Sequence, residues 1–221
     1  VWLGILPQAA LRTTTFFRPI LDHWSLDVAF KPRFLLEEGG QLLLAPSPAR
    51  SLADVAHLLT DQQALLAAFA GRDPWVARAP GAYAPRGTDW RHRFFVTRLG
   101  LTLDEKRGRE LANAFDDGHE FGRLFSALVA TAQRECAERG AHFRVLVLPG
   151  KDDLTRREEA GRGYWEPWCD ARRTEGVDVL DFSEALTAFV GARSEHFAPN
   201  GHYSALGFVQ VAKALAAELR R

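Results

Sequence analysis

Near the end of the chain, Phe197-Ala198-Pro199-Asn200-Gly201-His202-Tyr203-Ser204 places a histidine two residues after an asparagine and shortly before a helical pattern. A histidine mounted this way is suited to general acid–base work, because its ordinary pKa lies near neutrality. The same residues also make a plain connection: an Asn-Gly turn, with Ser204 as N-cap of the helix that follows. By residue type alone, the plain role is favoured. His23, His57, His92, His119, His142 and His196 show no ligand spacing and are assigned to surface or helix-end positions. Cys136 and Cys169 are too few for a disulfide framework and lack the CxxC spacing of a metal or redox site. Cys136 falls within a helical pattern and is expected to be a buried small side chain. Neither Gly-Asp-Ser nor Gly-x-Ser-x-Gly occurs, and all seven serines (Ser25, Ser47, Ser51, Ser126, Ser183, Ser194 and Ser204) sit in helices, caps or loops. Metal-ligand clusters and phosphate-binding glycine loops are absent too, so no metal or other cofactor is expected.

The elements that must carry these residues are clearest in the second half. Asp116-Asp117 precedes a long amphipathic helix over residues 120–139, ended by Gly140. Phe143 to Leu148 reads as a buried strand, followed by Pro149-Gly150. A helix over residues 166–174 leads to a second buried strand, Val177 to Leu180. Asp181 and Ser183 start a short helix, and residues 204–220 form the last one. This alternation predicts an α/β fold with a doubly wound, mostly parallel sheet. Functional groups in such sheets collect where strands end, here at Pro149 to Asp153, Asp181 to Ser183 and the loop before the last helix.

The first half is less regular. Val1-Trp2-Leu3-Gly4-Ile5-Leu6 reads as a buried strand, and a buried strand needs neighbours on both sides, so a missing upstream piece is expected. Residues 7–21 read as mixed loop and short helix. Phe34-Leu35-Leu36 and Gln41 to Leu44 flank Glu37-Glu38-Gly39-Gly40, which predicts a β-hairpin. Ser51 caps a helix with apolar positions at Leu52, Val55, Leu58 and Leu59, continued by a second segment over 61–70. Residues 71–87 are assigned to a loop, and 90–103 to a helix leading into a mobile stretch near Lys106 to Arg109.

Composition sets the outer limits. With 221 residues, 47% of them hydrophobic and 25% charged, the chain is long enough for one sizeable core, and a single domain over 1–221 is expected. Twenty-eight basic residues balance 28 acidic ones, which argues against nucleic acid or an anionic membrane as main partner. No apolar run reaches the ~20 residues that span a bilayer. The compartment is left open.

The block around Asn200 and His202, with Gly207 and the final helix behind it, resembles the C-terminal block of SGNH (GDSL-like) hydrolases. Val1 to Leu6, Phe17-Arg18-Pro19, Lys31-Pro32-Arg33-Phe34 with its hairpin, and the helix–strand unit ending at Leu148-Pro149 are similar to one bacterial subfamily in the same order. The resemblance implies a three-layer, flavodoxin-like fold, N-terminally incomplete, with a hairpin insertion. It implies a serine ester hydrolase acting on a small ester or an acetylated carbohydrate, with His202 as general base and Asn200 at the acid position. Related readings are a polysaccharide O-acetyltransferase-type domain and a non-catalytic binding module. The chain departs from the family in three places. The serine and glycine blocks would lie upstream of Val1. Gly4-Ile5-Leu6-Pro7-Gln8 offers Gln8 where the family has an oxyanion-holding asparagine. Asn200 replaces a carboxylate, a swap that costs about 10⁴ in rate in the serine-protease triad. Asp181 is the alternative acid, with helix capping as its competing role. The chain alone is expected to be inactive and poorly soluble.

Overall fold

The structure, a computed structural model, describes residues 1–16, 30–75, 104–187, 195–198 and 202–220. In chain order the elements are β1 (Trp2–Ile5), a 3-10 helix (Pro7–Thr14), β2 (Arg33–Leu36), β3 (Leu42–Ala45), α1 (Leu52–Thr60), α2 (Gln62–Phe69), α3 (Asp104–Asn113) and α4 (Glu120–Glu138). There follow β4 (Arg144–Val147), α5 (Lys151–Ala160), α6 (Glu166–Thr174), β5 (Asp178–Asp181), α7 (Ser183–Thr187) and α8 (Ala205–Glu218). They fall into two compact units, Val1–Ala10 with Val129–Arg221, and Leu11–Leu128.

The first unit is α/β. Its three strands run parallel in the order β1-β4-β5, with Trp2 beside Arg144 and Val147 beside Asp181. Val145 and Val147 are completely buried and suit the pleat as β-branched residues. Leu146, on the opposite face, joins Leu154 of α5, Phe182, Leu186 of α7 and Phe197 in one cluster, against which Val211, Ala214 and Leu215 of α8 pack. Each fully buried aliphatic or aromatic side chain of this kind stabilises by ~1.5–3 kcal/mol relative to exposure.

Three expectations for this unit need correction. The first strand forms but is not buried: Trp2 is 48% and Leu3 36% exposed, and among the described residues β1 is paired by β4 on one side only. Pro149 to Asp153, expected as a strand-end segment, runs from residue 151 into a helix, α5. Its sequence carries one buried apolar residue, Leu154, so it lacks the periodicity that marks a helix; its signals are electrostatic and terminal. Asp152 and Asp153 lie in the first turn, Asp153 accepts from the Gly150 amide at 2.8 Å, and Gly161 closes the helix at φ 72°. Cys136 is half-buried rather than buried, whereas Cys169 is fully enclosed.

In the second unit the hairpin forms as expected, Arg33 opposite Ala45 and Leu36 opposite Leu42, with Gly40 at φ 77° in the turn. Ser51 caps α1, and Asp61 caps α2 by accepting from the amides of Gln63 and Ala64. In its core Phe16 stacks on Phe69, and Phe30 lies tilted against Phe69. Beside them the buried Asp73 carboxylate accepts from Thr15 Oγ1 and from the amides of Phe16 and Trp75, at 2.8–2.9 Å. Every donor in that group has a partner, as buried polar groups require. The stretch around Lys106 to Arg109, expected to be mobile, lies within α3. The expected elements over 17–21, 76–87 and 90–103 fall outside the described residues. Among the described residues no helix is long and apolar enough to cross a membrane.

Candidate functional site

The parallel strands of the first unit end side by side, so the segments after β1, β4 and β5 share one edge of the sheet. Leu6 to Gln8 follow β1, Pro149-Gly150 follow β4, and Asp181 to Ser183 end β5. Gln8, half-buried, lies with its carboxamide against Gly150. A Cβ at that glycine would sit 2.6 Å from Gln8 Oε1 and 2.9 Å from Nε2, so glycine is what allows the approach.

The loop before α8 is tied to the same edge. Tyr203 donates its phenol to the Pro149 carbonyl at 2.7 Å, and a bridge pairs Phe197 with Tyr203, their rings stacked at 5.2 Å. Within this bridge the Ala198 amide donates to the His202 carbonyl at 2.7 Å. Burial, then the carboxylates of Asp153 and Asp181, push the Tyr203 phenol above its ordinary pKa, so it remains a donor. His202 itself is exposed, its carbonyl accepting from Ala198 and its neighbour Tyr203 tied to Pro149. Asn200 lies outside the described residues. His196, expected at a surface or helix end, is instead buried, at 1% exposure; its carbonyl accepts from the Ser204 amide at 2.8 Å. Ser204 caps α8 as expected, accepting from the Gly207 amide at 3.2 Å.

Asp181 performs the capping role. Its Oδ1 accepts from the Ser183 amide at 2.8 Å and from the Ser183 hydroxyl, while Oδ2 accepts from Trp165 Nε1 at 2.8 Å. Ser183 is 1% exposed and its hydroxyl is committed to that carboxylate, which excludes it as a nucleophile in this arrangement.

The sequence reading missed the group beside this site. Asp153, 1% exposed, accepts from Tyr164 Oη at 2.6 Å and from the Gly150 amide at 2.8 Å. Burial raises its pKa, and those two hydrogen bonds oppose the rise without cancelling it. The signal available was Gly150 three residues before Asp153, a helix-start pattern in a segment otherwise too charged to read. A polar recess of about 320 Å³ is lined by Arg157 of α5, Glu166, Asp170 and Arg173 of α6, and Asp181, Ser183 and Glu184. Its charges are largely paired with one another, Arg157 with Glu166 at 2.5 Å and Arg173 with Asp170 at 3.0 Å. Among the described residues no group of three or more His, Cys, Asp or Glu side chains could hold a metal ion.

The edge therefore carries a carboxamide over a glycine and a tyrosine that ties the segment before α8 to the sheet, with the exposed His202 next to that tyrosine. An imidazole there can take and return a proton; the carboxamide can donate an N–H to a carbonyl oxygen. No protein-family model, curated protein or solved structure matches the chain.

Proposed function

We propose that this chain is the histidine-bearing part of an SGNH-type serine ester hydrolase acting on a small acyl ester or an O-acetylated carbohydrate. What carries the reading is one observation: His202 stands exposed in the loop that Tyr203 ties to the Pro149 carbonyl, at the edge where the parallel strands end. The unpaired side of β1 supports it. With Trp2 and Leu3 exposed, β1 has the character of an interior strand, and a further parallel strand there would end beside Gln8. A serine at the end of that strand would supply the nucleophile, since neither Gly-Asp-Ser nor Gly-x-Ser-x-Gly occurs in the 221 residues.

In this mechanism the serine hydroxyl oxygen adds to the ester carbonyl carbon while its proton passes to the His202 imidazole. The tetrahedral oxyanion is met by donors on the strand ends, Gln8 among them. Collapse expels the alcohol, which takes the proton back from His202. Water then repeats the sequence on the acyl-serine and releases the acid, with the proton returning to serine. A sugar hydroxyl in place of water would make the same site an O-acetyltransferase. With asparagine at 200 in place of a carboxylate that would offset the imidazolium charge, and Asp181 engaged by Trp165 and Ser183, a slow enzyme is expected. That feature also favours the second reading, a non-catalytic module of the same fold that binds a carbohydrate or another protein.

The test is ester hydrolysis by the protein expressed from its whole reading frame, with p-nitrophenyl acetate and an acetylated xylan as substrates. His202→Ala should lower kcat by at least ~10³-fold with folding intact, the scale of losing one triad member. Equal rates in the two proteins, or no turnover by the wild type, would overturn the catalytic reading; saturable binding of the glycan without turnover would support the module.

A further inference from the structure

The peptide unit between Pro149 and Gly150 is held at both ends. Its N–H donates to Asp153 Oδ2 at 2.8 Å, and its carbonyl accepts from Tyr203 Oη at 2.7 Å. The amide is trans, so the two groups point in opposite directions within one plane. Asp153 and Tyr203 therefore grip the same rigid plane from opposite edges. A turn of that plane breaks both hydrogen bonds together.

Two features set this carboxylate apart from a simple helix cap. Asp54 caps Ser51 at the start of α1 from a partly exposed position. Asp153 does the same for α5 at 1% exposure, although enclosing a carboxylate has a cost that capping alone does not require. Its other oxygen, Oδ1, accepts from Tyr164 Oη at 2.6 Å, so the group cannot rotate away from Gly150 without losing that bond. A carboxylate on the N–H side of an amide also polarises it, which strengthens the carbonyl as an acceptor for Tyr203.

Both candidate groups lean on this plane. Tyr203 adjoins His202, whose carbonyl accepts from the Ala198 amide at 2.7 Å. Gln8 lays its carboxamide against Gly150, where a Cβ would come within 2.6 Å of Oε1. We infer that Asp153 is a positioning residue of the candidate site, fixing the Pro149–Gly150 peptide on which the His202 segment and Gln8 are both seated. Its consequence for catalysis rests on the hydrolase reading; the mechanical link does not.

Hydrogen exchange at single amides, measured on the whole protein, tests the link. Asp153→Ala should speed exchange of the Ala198 and Ser204 amides by ~5–10-fold, the factor equivalent to one ordinary hydrogen bond. The Phe182 and Cys169 amides, bonded to the Val147 and Trp165 carbonyls, should keep their rates and so exclude general unfolding. Asp153→Asn still offers an oxygen to Gly150 and should exchange like the wild type. Coupling is reciprocal, so Tyr203→Phe should speed exchange of the Gly150 amide by a similar factor, a measurement that stands even where Asp153→Ala fails to fold. In the Tyr203→Phe background, Asp153→Ala should add nothing further at Ala198. Acceleration confined to α5, equal acceleration at the Phe182 and Cys169 amides, an unchanged Gly150 amide in Tyr203→Phe, or additive effects in the double variant would overturn the inference. On the hydrolase reading, Asp153→Ala should also lower kcat by ~10–10²-fold with KM nearly unchanged. An unchanged kcat would overturn the positioning role. A wild type without turnover would overturn the hydrolase reading alone, and the exchange pattern would still decide the link.

Discussion

Gly207→Ala separates local preference from tertiary packing, because the two demand opposite signs. Gly207 is the third residue of α8, and in a solvent-facing helix its replacement by alanine stabilises by about 0.8–1 kcal/mol. Here a Cβ would lie 2.3 Å from the His196 carbonyl oxygen and 3.0 Å from Tyr203 Cδ1, against about 3.5 Å for ordinary contact. That oxygen is backbone and is held by the Ser204 amide at 2.8 Å, so it cannot swing aside as a side chain would. Loop and helix must part by roughly 1 Å. Overpacking of this kind costs ~1–3 kcal/mol, and stretching the Ser204 hydrogen bond adds a fraction of the ~1 kcal/mol it contributes. The net expectation is destabilisation by about 1–2 kcal/mol. Urea unfolding followed through tryptophan fluorescence would measure it, with Trp165 and Trp168 as buried reporters in the same unit. The midpoint should fall with the slope unchanged. A rise worth ~1 kcal/mol would refute the reasoning and show that the loop is not seated in the first turn of α8. On the hydrolase reading the same displacement moves His202 by a similar distance and lowers kcat by ~10²-fold.

Asp153→Asn replaces a carboxylate whose pKa burial raises in the folded state. Because the fold prefers the protonated form, the wild type loses stability as pH climbs from the ordinary carboxylate range through that raised value, and levels off above it. The asparagine variant has no such proton, so its stability relative to wild type should increase with pH over the same window in parallel urea titrations. A relative decrease would show that Tyr164 and the Gly150 amide outweigh burial. For Cys169, burial pushes the thiol pKa up to about 12, so iodoacetamide at pH 8 should leave it unmodified in the native protein and label it at the unfolding rate. Labelling of Cys169 as fast as a free thiol would contradict the enclosed position.

Much of this protein can be read from its sequence alone. The hairpin follows from two short apolar runs around Gly39-Gly40, and the caps at Ser51 and Ser204 follow from residue types that satisfy amide donors within a few residues. Helix α4 and strands β4 and β5 follow from periodicity, because burial on one face or on both writes itself into the order of residues. Local signals placed the end of the loop around His202, at the Ser204 cap. They did not fix what holds it: Tyr203 reaches Pro149 across 54 residues, and Gln8 reaches Gly150 from another strand. Helix α5 was hidden for a related reason, since a segment with one buried leucine is held by its ends and its neighbours rather than by a stripe. The burial of His196 was likewise decided only in three dimensions. A pattern along the chain records contacts a few residues apart. Which distant atoms share an edge, and which apolar face stays uncovered, depends on how strands and helices pack.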